Sequence, residues 1–86
     1  MNKIGVNNYL FREVEFYSTL TGGWQSISFK KLTKHMVFRI FEDSEKIKLV
    51  KDAKGYYIFK AEDNAYTNSN GVGEILCSGI NDIFKE

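Results

Sequence analysis

Between Met36 and Phe41 the chain reads Met-Val-Phe-Arg-Ile-Phe, five apolar side chains and one arginine in six residues. A run this short and this apolar suits a central β-strand covered on both faces. A central strand needs partners, and short pieces on either side supply them. Trp24, Ser26 and Ser28 alternate with Gln25 and Ile27 after the turn signal Thr21-Gly22-Gly23. Residues 11–19 and 24–28 therefore read as a hairpin. Residues 9–20 also carry a helical stripe (Leu10, Val14, Tyr17, Leu20), but their aromatic and β-branched content favours strand.

Further along, Lys46–Val50 and Tyr56–Ala61 flank Asp52-Ala53-Lys54-Gly55, a type I turn closed by Gly55 in the left-handed region. This predicts a second hairpin, with Ile47 and Leu49 inward and Lys46 and Lys48 in water. Ser28–Lys34 reads as one helical turn that Ser28 caps and that docks Phe29 and Leu32 on the core. Residues 62–70 read as a polar loop. Val72–Cys77 reads as a strand with Gly73, Ile75 and Cys77 on one side, ended by Ser78-Gly79. Ile80–Phe84 fits either a helical turn or a short edge strand, and residues 1–8 read as a frayed lead-in. Together these pieces predict one mostly β domain: a small antiparallel barrel or strongly curved sheet, SH3-like or similar, with one short helical turn. The expected core is Phe16, Trp24, Ile27, Leu32, Phe38, Ile40, Leu49, Ile58, Ala61, Ile75 and Cys77.

A chain of 86 residues has room for a single domain. Its aromatic content of 15% lets few residues bury much area. The single Cys77 cannot form an internal disulfide, which a small secreted domain usually needs. There is no signal-peptide pattern and no long apolar run, so the expected location is the cytoplasm, without a membrane partner. The net charge of +1 lacks the positive excess usual for wrapping nucleic acid.

No catalytic constellation stands out. The only imidazole is His35 and the only thiol is Cys77. His35 reads as a surface residue among lysines, and Cys77 as a small core hydrophobe. One His and one Cys do not make a zinc site, Glu42-Asp43-Ser44-Glu45 lacks the pattern of a calcium loop, and Gly71-Val72-Gly73 is only a fragment of a dinucleotide fingerprint. Neither an enzyme nor a cofactor is expected. Arg39 inside an apolar strand needs an acid, and Glu42, Glu74 or a loop carbonyl are the candidates for a structural ion pair.

The candidate interaction surface lies on and around the second hairpin. It comprises Lys46, Lys48, Lys51, Lys54, Tyr56, Tyr57, Lys60 and Tyr66. Five tyrosines, with Tyr9 and Tyr17, exceed the needs of one small core, and interfaces favour tyrosine. The expected partner is another protein. Weak nucleic-acid contact through lysines and aromatics is the alternative, and self-assembly a third reading.

Residues Ser28 to Glu42, Ser-Phe-Lys-Lys-Leu-Thr-Lys-His-Met-Val-Phe-Arg-Ile-Phe-Glu, resemble a "Phe-x-x-Leu-Lys-Lys-Gly-x-x-Phe-Arg-Leu-Phe-Glu" opening. That opening belongs to small uncharacterised proteins of phages and prophages of AT-rich Gram-positive bacteria. The resemblance continues through Gly55, Phe59, Ala61, Tyr66, Asn68 and Gly71 to Ile75. It implies a phage or mobile-element setting and no particular chemistry. Small phage domains of this kind often bind a host or virion protein, including components of host defence. His35 departs from the pattern by standing where it has Gly, so the resemblance does not by itself fix a left-handed backbone there.

Overall fold

A computed structural model describes residues 2–6, 13–43 and 45–80. Its strands are β1 (Asn2–Val6), β2 (Val14–Ser18), β3 (Gly23–Ile27), β4 (Val37–Ile40), β5 (Ile58–Ala61), β6 (Tyr66–Thr67) and β7 (Gly73–Ile80). They form one sheet in the order β1-β7-β5-β4-β2-β3, with β6 also beside β7. Every pairing is antiparallel. The sheet bends strongly into an open half-barrel, with β1 and β3 as its two edges. The expectation of a mostly β, strongly curved architecture holds.

The first hairpin forms at β2 and β3, with register Val14↔Ile27 through Ser18↔Gly23. Its turn closes where Gly22 N–H donates to the Ser18 carbonyl at 2.8 Å. Gly22 takes φ +72°, which glycine adopts without a steric penalty. A single 3₁₀ turn, Phe29–Lys31, follows. Lys31 N–H donates to the Ser28 carbonyl, but the Ser28 hydroxyl does not cap the turn as predicted. Phe29 and Leu32 are both buried, so the segment docks as expected.

At Thr33–Met36 the chain turns again, and Met36 N–H donates to the Thr33 carbonyl at 3.1 Å. His35, third in this turn, has φ +80° while Lys34 is not in the left-handed region, the signature of a type II turn. The left-handed backbone is thus present at the position where the resembling proteins have Gly. His35 N–H donates to the Ala61 carbonyl at 2.8 Å, tying the turn to the end of β5.

β4 lies between β2 and β5 and alternates: Phe38 and Ile40 are buried in the concave core, while Val37 and Arg39 are half-buried on the outer face. The second face of β4 is therefore only partly covered. The core comprises Val14, Phe29, Leu32, Phe38, Ile40, Phe59, Ala61, Ile75 and Cys77. Phe38 and Phe59 are cross-strand partners with ring centroids 5.8 Å apart. Such a pair contributes about 0.5–1.5 kcal/mol beyond its buried area. Phe16 and Ile27 pack on the margin of this core. Trp24, Leu49 and Ile58 are half-buried outside it, and Val14 and Phe59 take their place.

The second hairpin does not form as predicted. Its turn exists: Gly55 N–H donates to the Asp52 carbonyl at 3.0 Å, with Gly55 at φ +88°. Residues 46–50, however, make no strand against 56–61. They fold back on the end of β4, where Leu49 bridges Phe41 and Val50 N–H donates to the Ile40 carbonyl. Ile47, expected inward, is 72% exposed. The predicted lead-in is also corrected, since residues 2–6 form β1 along β7. β7 runs through Ser78-Gly79 to Ile80, and the loop at 62–70 contains the short β6. Residues 81–84 of the predicted last element, and 9–12 of the first strand segment, lie outside the described residues.

Candidate functional site

The register of β2 with β4 places Glu15 directly opposite Arg39, and that of β2 with β3 places Glu15 opposite Ser26. These three side chains form one row across the outer face. Arg39 donates through Nε and Nη2 to Glu15 Oε1 at 3.0 and 2.8 Å. Its guanidinium lies 4.3 Å from the Trp24 ring centroid and 5.3 Å from that of Phe41. Trp24 in turn meets Tyr17 edge-on at 5.5 Å. The other carboxylate oxygen, Glu15 Oε2, accepts from Lys46 Nζ at 2.9 Å, and the same ammonium donates to Ser26 Oγ at 3.1 Å. Burial pushes the Glu15 carboxyl up. The Lys46 and Arg39 hydrogen bonds and charges outweigh that and hold it below the usual range. Arg39 therefore finds its acid in Glu15, across the β2–β4 ladder. Glu74 is engaged elsewhere, accepting from Tyr66 Oη at 2.7 Å and Asn68 Nδ2 at 3.2 Å.

Lys46 is one of two non-glycine residues at positive φ among those described, at +60°. Its ion pair fastens Lys46 to Glu15 on the outer face of the sheet. Within the loop, Asp43 Oδ1 accepts from Ile47 N–H at 3.0 Å and from Lys48 N–H at 3.1 Å. The hydrogen bond from the Lys48 amide, partly opposed by desolvation and helped by that from Ile47, holds the Asp43 carboxyl below its ordinary range. The loop so fixed walls an open cavity of about 670 Å³ with Glu42, Ile47, Lys48, Leu49, Val50, Lys51 and Tyr57.

The predicted interaction residues separate into groups. Lys48, Lys51 and Tyr57 meet at the cavity, and Tyr57 is 42% exposed. Lys46 turns away to Glu15. Lys54 stands exposed on the 52–55 turn, where its N–H donates to Asp52 Oδ1 at 2.9 Å. Tyr56 packs against the core, its ring close over Gly79. Lys60 is half-buried on β5, opposite Val37. Tyr66 is exposed on β6, and its hydrogen bond to Glu74 raises the phenol above its ordinary pKa. Sequence reasoning did not offer Glu15 as the acid for Arg39, Ile47 as an outward residue, or Trp24 as the cover of Arg39. The available signal was that Glu15 and Arg39 are each the charged residue within an otherwise apolar run, 24 residues apart.

His35 is exposed and Cys77 is fully buried, so the two do not converge. Burial, then the nearby Asp52 and Glu62 charges, push the Cys77 thiol up to about 12. No three His, Cys, Asp or Glu side chains are grouped to hold a metal among the described residues. None of the described helices is long and apolar enough to cross a membrane. Comparison with family models, with curated proteins and with solved structures finds no match.

Proposed function

We propose that this chain is a small non-enzymatic binding module that docks another protein through the cavity lined by Glu42, residues 47–51 and Tyr57. The observation that carries this reading is Ile47. It is 72% exposed, yet it is held in place by the Asp43 carboxylate on one side and the Lys46–Glu15 ion pair on the other. An apolar side chain presented on a pre-ordered loop loses little entropy on binding. Leu49 and Val50 extend the apolar wall, and Tyr57 adds an amphipathic ring of the kind that anchors interfaces. Lysines 48 and 51 border the cavity and favour a partner with carboxylates nearby. Single-stranded nucleic acid suits it less well. Bases stack on aromatic platforms, whereas these walls offer a single aromatic ring, Tyr57, and Lys46 is committed to Glu15. With the phage-like resemblance of residues 28–77, the proposed setting is the cytoplasm of a bacterial host, and the proposed partner a host or virion protein, including one of a defence system.

The test is capture from host lysate and virion extract with three immobilised forms: the wild type, Ile47→Glu and Lys54→Glu. The expected result is one stoichiometric protein held by the wild type and Lys54→Glu and lost by Ile47→Glu. Capture that Ile47→Glu leaves unchanged overturns the assignment of the face. Retention of nuclease-sensitive material that washes off with salt, and of no protein, overturns the reading in favour of nucleic acid.

A further inference from the structure

Residues 16–29, Phe-Tyr-Ser-Thr-Leu-Thr-Gly-Gly-Trp-Gln-Ser-Ile-Ser-Phe, contain no charged side chain in a chain that is 27% charged. They build most of the β2–β3 hairpin, and β3 is one of the two edges of the sheet. β3 pairs with β2 on one side, and no described backbone group pairs with it on the other. Sheet edges are ordinarily guarded by lysine, proline, a bulge or an inward-pointing charge, because an open ladder recruits other strands. Gly23-Trp24-Gln25-Ser26-Ile27 has no proline and no charge, and it pairs with β2 in unbroken register. The opposite edge strand, β1, contains Lys3. Leu20, at the hairpin's tip, is 97% exposed.

From this unguarded edge we infer that β3 pairs antiparallel with β3 of a second copy of the chain, giving a two-fold dimer with one sheet running through both. The electrostatics choose the occupant. A two-fold axis sets each surface against itself, so any charge on the edge would face its own like in the partner. The side chains of β3 are all neutral, and the Lys46 ammonium that reaches Ser26 is paired with Glu15, so the edge meets that condition, whereas an edge built for a charged partner strand would carry the complementary charge. With the axis at the middle residue, Gln25 faces Gln25, Trp24 faces Ser26 and Gly23 faces Ile27 across the new ladder. Trp24 and Ser26 lie on the outer face, beside Arg39 and Lys46. Trp24 is also the only tryptophan in the chain, so its emission reports directly on the contact. This interface is separate from the cavity lined by Glu42, residues 47–51 and Tyr57, and a dimer would present two such cavities.

Sedimentation of the full chain, from micromolar to millimolar concentration, tests the inference. Gln25 is exposed, so Gln25→Lys and Gln25→Glu are expected to fold with wild-type circular dichroism. The wild type is expected to double in mass as concentration rises, with Trp24 emission moving to the blue. Each variant alone places like charges face to face, so its self-association weakens at least about tenfold. An equimolar mixture of the two variants places opposite charges face to face and restores the dimer. A wild type that stays monomeric overturns the inference and leaves the edge to another partner. A Gln25→Lys dimer as tight as the wild type also overturns it, as does a mixture that fails to reassociate.

Discussion

At His35 a residue with a β-carbon occupies a backbone region that glycine enters freely. Its φ of +80° crowds the β-carbon against the neighbouring carbonyl, a strain of about 1 kcal/mol for a residue other than Gly or Asn. What holds it there is the backbone, through the Met36 N–H bond to Thr33 and the His35 N–H bond to Ala61. The exposed imidazole contributes no described hydrogen bond of its own. His35→Gly is therefore expected to stabilise the fold by about 0.5 kcal/mol, because the strain relieved exceeds the roughly 0.4–1 kcal/mol of extra freedom gained by the unfolded chain. For a domain of this size that raises the thermal midpoint by about 2–4 °C, read by circular dichroism. A midpoint that falls would show that the imidazole makes a contact of value. The same exchange would fail at Lys46, also left-handed, because its ammonium bridges Glu15 and Ser26.

Among the elements, β5 explains both what was legible in the chain and what was not. Its two edges are taken by β4 and β7. Residues 46–50 alternate as a strand should, yet no edge of β5 is left for them, so they settle on the end of β4. Alternation reveals which residues can be pleated, but partner choice is decided by competition between segments far apart in sequence. The β2–β3 hairpin was legible because its partner is next in the chain and Gly22 marks the turn. β1 was hidden for the opposite reason: main-chain pairing with β7 requires no apolar pattern, and its partner lies some 70 residues on. The half-legible case is Arg39, whose need for an acid follows from its setting, while Glu15 as that acid follows only from the β2–β4 register. Gly79 carries a sharper consequence. A β-carbon there would lie 2.6 Å from Tyr56 Cδ2 and 2.7 Å from Tyr56 Cβ and Cγ. Because Cβ is fixed to the backbone, the tyrosine cannot simply swing aside. Gly79→Ala is expected to cost about 1–3 kcal/mol, seen as a lower urea midpoint with an unchanged slope. An unchanged midpoint would mean that Tyr56 does not cover this glycine.

Over the whole molecule, two groups on opposite faces of the sheet set the pH range of stability. Glu15 is held below its ordinary 4.5 in the folded chain. Its contribution is complete above 4.5 and disappears as pH falls through the lower folded value. Asp43, also held low, acts in the same direction. Cys77 sits in the core at 0% exposure, with its thiol raised from 9.0 to about 12. Above pH 9 the unfolded chain loses that proton while the folded chain keeps it, so stability falls as pH rises, by about 1.4 kcal/mol per pH unit once the unfolded thiol is ionised. Tyr66, held up by Glu74, adds to this decline only above 10. Among the described groups held away from their ordinary values, the thiol is the one that dominates the interval from 9 to 10. Urea melts across pH are expected to show steady Glu15 and Cys77 contributions between these limits, an acid decline reduced in Glu15→Gln, and a 9-to-10 decline removed in Cys77→Ala. The control matters because Cys77→Ala also lowers stability at neutral pH by opening a small space in the core opposite Ala61; the diagnostic is the slope, not the level. If the wild-type curve is flat from 9 to 10, the thiol reaches water in the folded chain, and the core is open at β7.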